Sequence, residues 1–202
     1  MQKHAKCEAE AARRAYDVRV NHLIWNGDKK SHIMGVLSSE NNIPLYTLTN
    51  GASGKADWLS KTADEIATDM AGILNFIDTS TKSIEHPDSW VMPSDLFTSL
   101  NLKRIEGTDQ SVLSYIKEHT PQIKNWETAT ELSKNNKDYN STGKNIGLLY
   151  TKDAEKMAHE APMPFMQHAP QERNLEVVIN CEGRDAGMQI TYPFSACLVY
   201  GL

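Results

Sequence analysis

The side chains best suited to chemistry in this 202-residue chain are its seven histidines, three cysteines and scattered acidic groups. His4 and Cys7 stand three residues apart in a helical segment, a spacing that can present two ligands to one metal ion. A zinc site needs three or four ligands, and no second HxxC, CxxC or HxxxH pair occurs. We therefore expect neither a metal nor a cofactor.

Acid, base and nucleophile patterns are equally sparse. His86 and Asp88 are two residues apart and serines are plentiful, yet no spacing selects a triad and no GxSxG occurs. His22, His32 and His119 are interpreted as surface polar residues. We expect no catalytic residues and no enzyme, while a small hydrolase or toxin domain using His86 or His119 remains an alternative.

Two further patterns have structural interpretations. Asp64 and Glu65 follow Thr62 in a Thr-Ala-Asp-Glu capping box, where acidic groups favour a helix start. Residues 50–54, Asn-Gly-Ala-Ser-Gly, lack the Lys-Ser/Thr of a phosphate-binding loop, so they predict a turn. The four tryptophans are scattered and indicate core or interface anchors rather than a base-stacking platform: Trp25, Trp58, Trp90 and Trp126.

The composition of the chain limits the kinds of partner that it could bind. A net charge of −5 and a pI near 5.8 argue against a dedicated nucleic-acid binder and against an anionic membrane surface. No run of about 18 apolar residues and no apolar leader occurs, so we expect no membrane partner. Cys7, Cys181 and Cys197 form an odd, widely spaced set, typical of reduced and mostly buried thiols in a cytoplasmic setting.

The elements that must position these groups begin with a helix over residues 4–25. Apolar residues recur on it every three or four positions, and Asn26-Gly-Asp28 ends it. The capping box opens a second helix that runs to about Asp78. The predicted strands of the middle region are 89–92, 123–128 and 145–150. Its predicted helices are one after Pro93, one capped near Thr108 and one or two turns at 153–159. Residues 134–144 are predicted to be an exposed loop and the segment most prone to disorder.

The last residues read as strands. Alternation from Leu175 to Cys181 predicts a half-buried strand, and residues 183–187 supply a turn to a second strand over 188–192. A third apolar run covers 194–200. The order predicts an α+β protein in which the first helix packs on the terminal strands and the middle forms an inserted lobe.

Several collinear segments resemble the tailed-bacteriophage major capsid proteins with the Hong Kong 97-type fold. The first helix with residues 26–28 and 33–37 is similar to that family's spine helix and following turn, and Pro87 to Pro93 is similar to its Pro-Asp strand. The match continues at 42–44, 50–54, 58, 61–62, 64–66, 96, 100, 111–113, 121–123, 162–165, 170–171, 181–184, 187 and 192–193.

The resemblance implies an α+β subunit with a long spine helix on C-terminal antiparallel strands and an inserted α/β axial lobe. It implies a peripheral-type domain at 1–27 and 146–202 and an axial-type domain at 28–145. The implied function is a structural subunit of an icosahedral phage or prophage shell. The implied partner is the chain itself, in pentamers and hexamers, with packaged double-stranded DNA met only indirectly; the implied location is the virion, after assembly in the bacterial host cytoplasm.

The family carries an N-terminal arm and an extended hairpin before its spine helix, and this sequence begins at or just before that helix. We expect either a C-terminal portion of a capsid protein or a shortened relative. An encapsulin-like compartment shell, with the same fold, and a plain interaction module remain alternatives. The loops at about 103–110 and 134–144 are hypothesised to lie at the capsomer-facing edge.

Overall fold

A computed structural model of the chain describes residues 2–174 and 176–202, with side chains from residue 8 onward apart from residue 175. The helices are α1 Gln2–Asn26, α2 Ala63–Thr81, α3 Ser94–Leu102 and α4 Val112–His119. The strands are β1 Gly27–Asp28, β2 Ile33–Met34, β3 Leu45–Thr47, β4 Ser89–Met92, β5 Asn125–Thr128, β6 Ile146–Tyr150, β7 Met157–Glu160, β8 Met163–Gln167, β9 Gln171–Arg173, β10 Glu176–Val178, β11 Cys181–Arg184, β12 Gly187–Ile190 and β13 Ala196–Tyr200.

The chain forms two compact units. The first contains the chain up to Asn41 together with Ala158–Ile190, and the second contains Asn42–Met157 and Thr191–Leu202. This grouping differs from the predicted packing, because β6 and β13 lie in the second unit rather than with the first helix. The reason is backbone pairing, since β13 pairs along its length with β6 and β3. The assignment of peripheral and axial roles stays a prediction.

In the first unit, α1 ends where the sequence predicts. Gly27 adopts a left-handed φ of 71°, and the N–H groups of Val36 and Leu37 donate to the carbonyls of Ile24 and Trp25. Gly35 permits this return, because a Cβ there would lie 2.3 Å from the backbone nitrogen of Gly27. The helix C-terminus is thus capped by the following segment of chain rather than by water.

The apolar stripe of α1 contacts β8 and β12 of the same unit. The Tyr16 ring lies 5.3 Å from that of Phe165, and the Gln167 amide donates to the carbonyl of Ala9 at 3.1 Å. Gly183 leaves room for Tyr16, since a Cβ at that position would lie 2.6 Å from the ring. Most of α1 stays partly or fully exposed from Glu8 to Val20.

The predicted terminal hairpin is wrong in its pairing. β11 pairs antiparallel with β8, β10 with β9, and β12 lies beside β7, each as a two-stranded sheet. The alternation of apolar and polar residues also predicted the wrong burial, because Val177, one of the apolar positions, is 61% exposed. Leu175, where the prediction began, lies outside the described residues.

The second unit is built on a five-stranded mixed sheet in the order β3-β13-β6-β4-β5. The two central strands, β13 and β6, are antiparallel and buried over four of their five residues. Such continuous apolar runs fit strands covered on both faces. The fold of the second unit is therefore organised around this pair, and the predicted buried strand at the end of the sequence is confirmed.

The core of this unit packs α2, α3 and α4 against the sheet. Trp58 and Trp90 are fully buried and stacked, with ring centroids 5.8 Å apart. Gly147 of β6 lets Trp90 approach, because a Cβ there would lie 2.7 Å from its ring. The buried residues around them are Ile66, Met70, Ile73, Ile77, Met92, Leu96, Leu100, Val112, Leu113, Ile116, Leu149, Cys197 and Val199.

Three local predictions need correction. The cap of α4 is Ser111, not Thr108, since Ser111 accepts from the Ser114 N–H while the Thr108 hydroxyl donates to the Ile105 carbonyl. Residues 153–159 form a turn and then β7 rather than helix. The loop at 134–144 is folded around Asn140, whose buried amide donates to two carbonyls and whose carbonyl oxygen accepts from Thr142.

Candidate functional site

The residues considered for hydrolytic chemistry have other partners. Asp88 accepts hydrogen bonds from the Lys152 N–H at 3.0 Å and the Ser89 hydroxyl at 2.9 Å. Burial raises the pKa of Asp88, but these bonds outweigh it and leave the pKa below its ordinary value. His119 packs on Tyr115 with centroids 4.0 Å apart, and His86 is exposed. Among the described residues no hydrogen bond joins Asp88 to either histidine, so the structure does not assemble this set.

Metal ligands are not brought together within the described side chains, where no group of three His, Cys, Asp or Glu residues could hold an ion. His4 and Cys7 lie outside those side chains. The structure instead pairs His159 with Asp185 at 2.7 Å and His168 with Glu182 at 2.9 Å, both within the first unit. Sequence reasoning missed these pairs because each depends on which strands pair.

The turn at 50–54 is hydrogen-bonded to the start of α2, and two of the backbone N–H groups that could bind a phosphate there are already occupied. Glu65 accepts from the backbone N–H groups of Ala52 at 2.7 Å and Thr62 at 2.8 Å, the donors that an anion would need. The Ala52 N–H, followed by that of Thr62, holds the pKa of Glu65 below its ordinary value. The capping box is confirmed in both directions.

A buried polar cluster lies beneath this turn. The Lys61 ammonium contacts Asp69 at 2.6 Å and donates to the Thr49 carbonyl at 2.7 Å, and both side chains of the pair are at most 8% exposed. The Trp58 indole N–H donates to the same carboxylate at 3.0 Å. Every strong polar group of the cluster has a partner, so the cluster holds the second unit together rather than presenting a reactive group.

The prediction of mostly buried thiols holds for one of the two cysteines whose side chains the structure describes, and Cys7 lies outside those side chains. Cys197 is buried in β13, and burial raises the pKa of its thiol to about 12. Cys181, in β11, is exposed. Cys181 lies in a two-stranded sheet in which both strands are edge strands, and three of the four residues of β11 are exposed.

The two loops hypothesised as an edge are ordered surfaces of the second unit. Residues 103–110 close through Ile105, whose N–H donates to the Gln110 carbonyl at 3.0 Å, leaving Glu106 and Asp109 exposed. In the other loop, the Lys134 N–H donates to Asn145 at 2.9 Å. Both loops therefore present charged side chains from a fixed backbone.

A concave pocket of about 350 Å³ adjoins the second loop. Lys55, Lys134 and Lys144 line it with a single acidic residue, Asp57, which lies 3.9 Å from the Lys134 ammonium. Asn50, Ala56, Gly143, Asn145, Gly201 and Leu202 complete the lining. Counting side chains alone, three lysines against one aspartate give the pocket a charge of +2, and the main-chain carboxylate of Leu202 offsets one of these positive charges, in a chain whose net charge is −5.

None of the described helices is long and apolar enough to cross a membrane.

Solved structures share the fold. The capsid of Myoviridae phage XM1 matches at a TM-score of 0.76 and 16% identity, over 98% of this chain and 65% of that one. A virus-like particle from Pyrococcus furiosus matches at a TM-score of 0.51 and 10% identity, over 77% of this chain and 56% of that one. The chain thus spans about two thirds of the phage capsid chain, and it shares the α+β fold of that chain. A search of curated proteins finds no match.

A comparison at the level of sequence gives a more specific assignment than the shared fold. The sequence model of the family described as "Major capsid protein" matches residues 5–202. The chain belongs to the major capsid protein family. Family membership covers both compact units and both ends of the described sequence.

Proposed function

We propose that the chain is a structural subunit of an icosahedral phage or prophage shell that encloses DNA. The observation that carries the proposal is the family match over residues 5–202, to which the fold shared with the XM1 capsid lends support. In this function the chain acts by associating with copies of itself, and it transforms no substrate.

The finer parts of the proposal are the Hong Kong 97-type architecture, pentamers and hexamers, and assembly in the bacterial host cytoplasm before residence in the virion. The long, largely exposed α1 supports the spine helix. We propose an axial-type domain at about 28–145, a range that contains most of the second compact unit but not its strands β6 and β13. We also propose that residues 1–27 and 146–202 serve as the peripheral-type domain. The negative net charge fits a lining that meets DNA without binding it tightly.

The test is self-association of the purified chain, and of the same chain with any coding sequence that precedes Met1. Sedimentation velocity measures ring-sized species, and electron microscopy of the longer product detects closed shells. Rings or shells support the proposal. A strict monomer for both products at every concentration contradicts it.

Each alternative function predicts a different experimental result. An encapsulin-like shell would close around protein cargo without nucleic acid, which nuclease-protected DNA in purified shells excludes. A hydrolase would show turnover that falls on His86→Ala or His119→Ala substitution. Neither alternative has an observation in its favour, because the fold likeness to the virus-like particle is shared with the capsid.

A further inference from the structure

The basic pocket described above carries the further inference, which rests on the proposed function. We propose that the pocket lined by Lys55, Lys134 and Lys144 receives the acidic loop around Glu106 and Asp109 of a neighbouring copy. The partner is thus a second copy of this chain, and the contact is an electrostatic one between two different surfaces of the second unit.

The pocket is pre-formed to hold an anionic group. The Lys55 carbonyl accepts from the Gly51 N–H at 2.9 Å, the Lys134 N–H donates to Asn145, and the Lys144 carbonyl accepts from Asn140 at 2.7 Å. These bonds fix the backbone from which the ammonium groups reach the pocket. A fixed backbone lowers the entropy lost when a partner is bound.

The ammonium groups are also available. Among the described residues Lys55 and Lys144 make no side-chain ion pair, and Lys134 has only the long 3.9 Å contact with Asp57. A carboxylate that enters the pocket would therefore displace water rather than break a short salt bridge. Such a contact gains specificity and association rate more than raw affinity.

The complementary surface lies on the same chain. Glu106 and Asp109 project from the closed turn at 105–110, and the Asp109 side chain is fully exposed. Glu118 lies beside this turn, bound to Gln110 at 2.9 Å, and Arg104 lies 3.3 Å from Asp109. The neighbouring lysines are engaged elsewhere, since Lys103 donates to the Leu59 and Lys61 carbonyls and Lys117 lies over two aromatic rings. The three acids thus give this surface a negative charge, opposite in sign to that of the pocket.

Within one copy, no ion pair joins these two surfaces in the part of the chain that the structure describes. Two different complementary surfaces on one subunit form a heterologous contact, which closes into rings when the rotation allows it. A capsomer is a ring of subunits, so a contact between the basic pocket of one copy and the acidic loop of the next would fix how neighbouring subunits are oriented in that ring.

Nucleic acid is the less suited occupant. Three lysines in a concave pocket with an aspartate do not form the stripe that tracks a phosphate backbone, and the whole chain is negative. No aromatic side chain lines the pocket to stack on a base. A short carboxylate-bearing turn matches the sign of the site.

The experiment is a charge exchange. The pocket variant is Lys134→Glu with Lys144→Glu, and the loop variant is Glu106→Lys with Asp109→Lys. Each alone places like charges together, and we expect its association constant by sedimentation velocity at low salt to fall about tenfold or more. Mixing the two variants restores opposite charges at both kinds of contact between unlike subunits, and we expect association between them within about threefold of the unaltered protein.

Lys29→Glu with Lys82→Glu is the matched control for the pocket variant, because it makes the same change in net charge at two exposed lysines outside both surfaces. Circular dichroism and thermal unfolding verify that each variant is folded. A second readout that needs no variant is carbodiimide coupling of mixed ¹⁴N- and ¹⁵N-labelled protein, which should yield mixed-label peptides joining Lys134 or Lys144 to Glu106 or Asp109.

The outcomes separate this inference from the proposed function. Association that survives in both charge variants, or a mixture that fails to associate, overturns the charge contact and leaves shell assembly standing. No association of the unaltered protein, either as this chain or with any coding sequence that precedes Met1, overturns both. Loss of duplex DNA retention in the pocket variant, with association unchanged, assigns the pocket to nucleic acid and also overturns the inference.

Discussion

At the scale of single residues, Lys61 and Asp69 form the costliest arrangement in the second unit. Two charges are removed from water, and their mutual contact at 2.6 Å, with the Thr49 carbonyl and the Trp58 indole, offsets the lost hydration. Removing one partner leaves the other charge buried and unpaired. The pair therefore constrains mutation more than it adds to stability.

Asp69→Asn is expected to destabilise the protein by about 3–5 kcal/mol, because the Lys61 charge loses its buried counter-ion. Urea unfolding followed by tryptophan fluorescence measures the change. Asp78→Asn, at an exposed position of the same helix, is the control and should stay within about 0.5 kcal/mol. Replacing both partners, Lys61→Met with Asp69→Leu, should cost less than Asp69→Asn; a larger cost would show that the pair is net stabilising.

The two described cysteines should differ sharply in reactivity. Cys197 is fully buried with a thiol pKa raised to about 12, whereas Cys181 is exposed. In a Cys7→Ser background, a disulfide reagent at neutral pH should label one thiol rapidly and the second only on unfolding. Cys181→Ser, which should leave no rapid labelling, is the control. Rapid labelling of both thiols in the native protein would contradict the burial of Cys197.

At the scale of elements, the start of α2 connects a helix to the turn before it. Thr62 and Glu65 cap each other's backbone, and Glu65 also holds the Ala52 N–H. One carboxylate thus fixes both the first turn of the helix and the glycine-bearing loop at 50–54. The consequence is that a helix-cap mutation also loosens the loop that leads to the basic pocket.

Thr62→Ala should lower the free energy of unfolding by about 1 kcal/mol, the usual effect of losing an N-cap hydroxyl. Chemical denaturation measures it. Thr68→Ala, in the same helix, removes an exposed hydroxyl that bonds only to the Asp64 carbonyl, and it should have a smaller effect. Equal losses in the two variants would mean that the cap contributes nothing of its own.

The close approach of β6 to the core tryptophans gives a second prediction at this scale. Gly147→Ala places a methyl group 2.7 Å from the Trp90 ring and from Leu202, so overpacking should cost about 1–3 kcal/mol. Thermal unfolding of the variant measures the loss. In a Trp90→Phe background the same substitution should cost less, because the ring atoms that it meets are gone. An unchanged cost in that background would place the strain elsewhere.

At the scale of the whole molecule, both compact units carry carboxylates that the fold keeps ionised. In the first unit, the Lys30 N–H is the main cause that lowers the pKa of Asp28, with further help from Ser31 and Arg19. In the second unit the pKa values of Glu65 and Asp88 are lowered as described above. We therefore expect both units to lose stability in acid for the same reason, which is the protonation of these carboxylates.

Because these folded-state pKa values lie below their ordinary values, the stabilisation is complete above those ordinary values and is lost as pH falls through the folded pKa values. We expect the melting temperature to be flat near neutral pH and to fall below about pH 4.5. Differential scanning calorimetry across this range measures it. Glu65→Gln with Asp88→Asn should flatten the acid limb, whereas Glu155→Gln, at an exposed position, should not. An acid limb that is unchanged in the double variant would contradict this assignment.

What the sequence alone determined is local. The end of α1 at Gly27, the capping box of α2, β4 before Pro93 and the buried terminal strand follow from spacing, turn chemistry and apolar runs within a few residues. The family resemblance also came from such short segments in order, and the family match over residues 5–202 bears it out.

Tertiary structure alone decided which strands pair. The partner of β11 is β8 rather than the next strand along the chain, and β13 lies between β6 and β3. Backbone N–H and C=O groups are the same in every residue, so pairing is selected by packing across long loops and leaves no local signal. The basic pocket and the two histidine–carboxylate pairs arise in the same way, because each joins groups that are well separated in sequence and adjacent only in the folded chain. Lys61 and Asp69 are closer, eight residues apart, but only the fold buries them together.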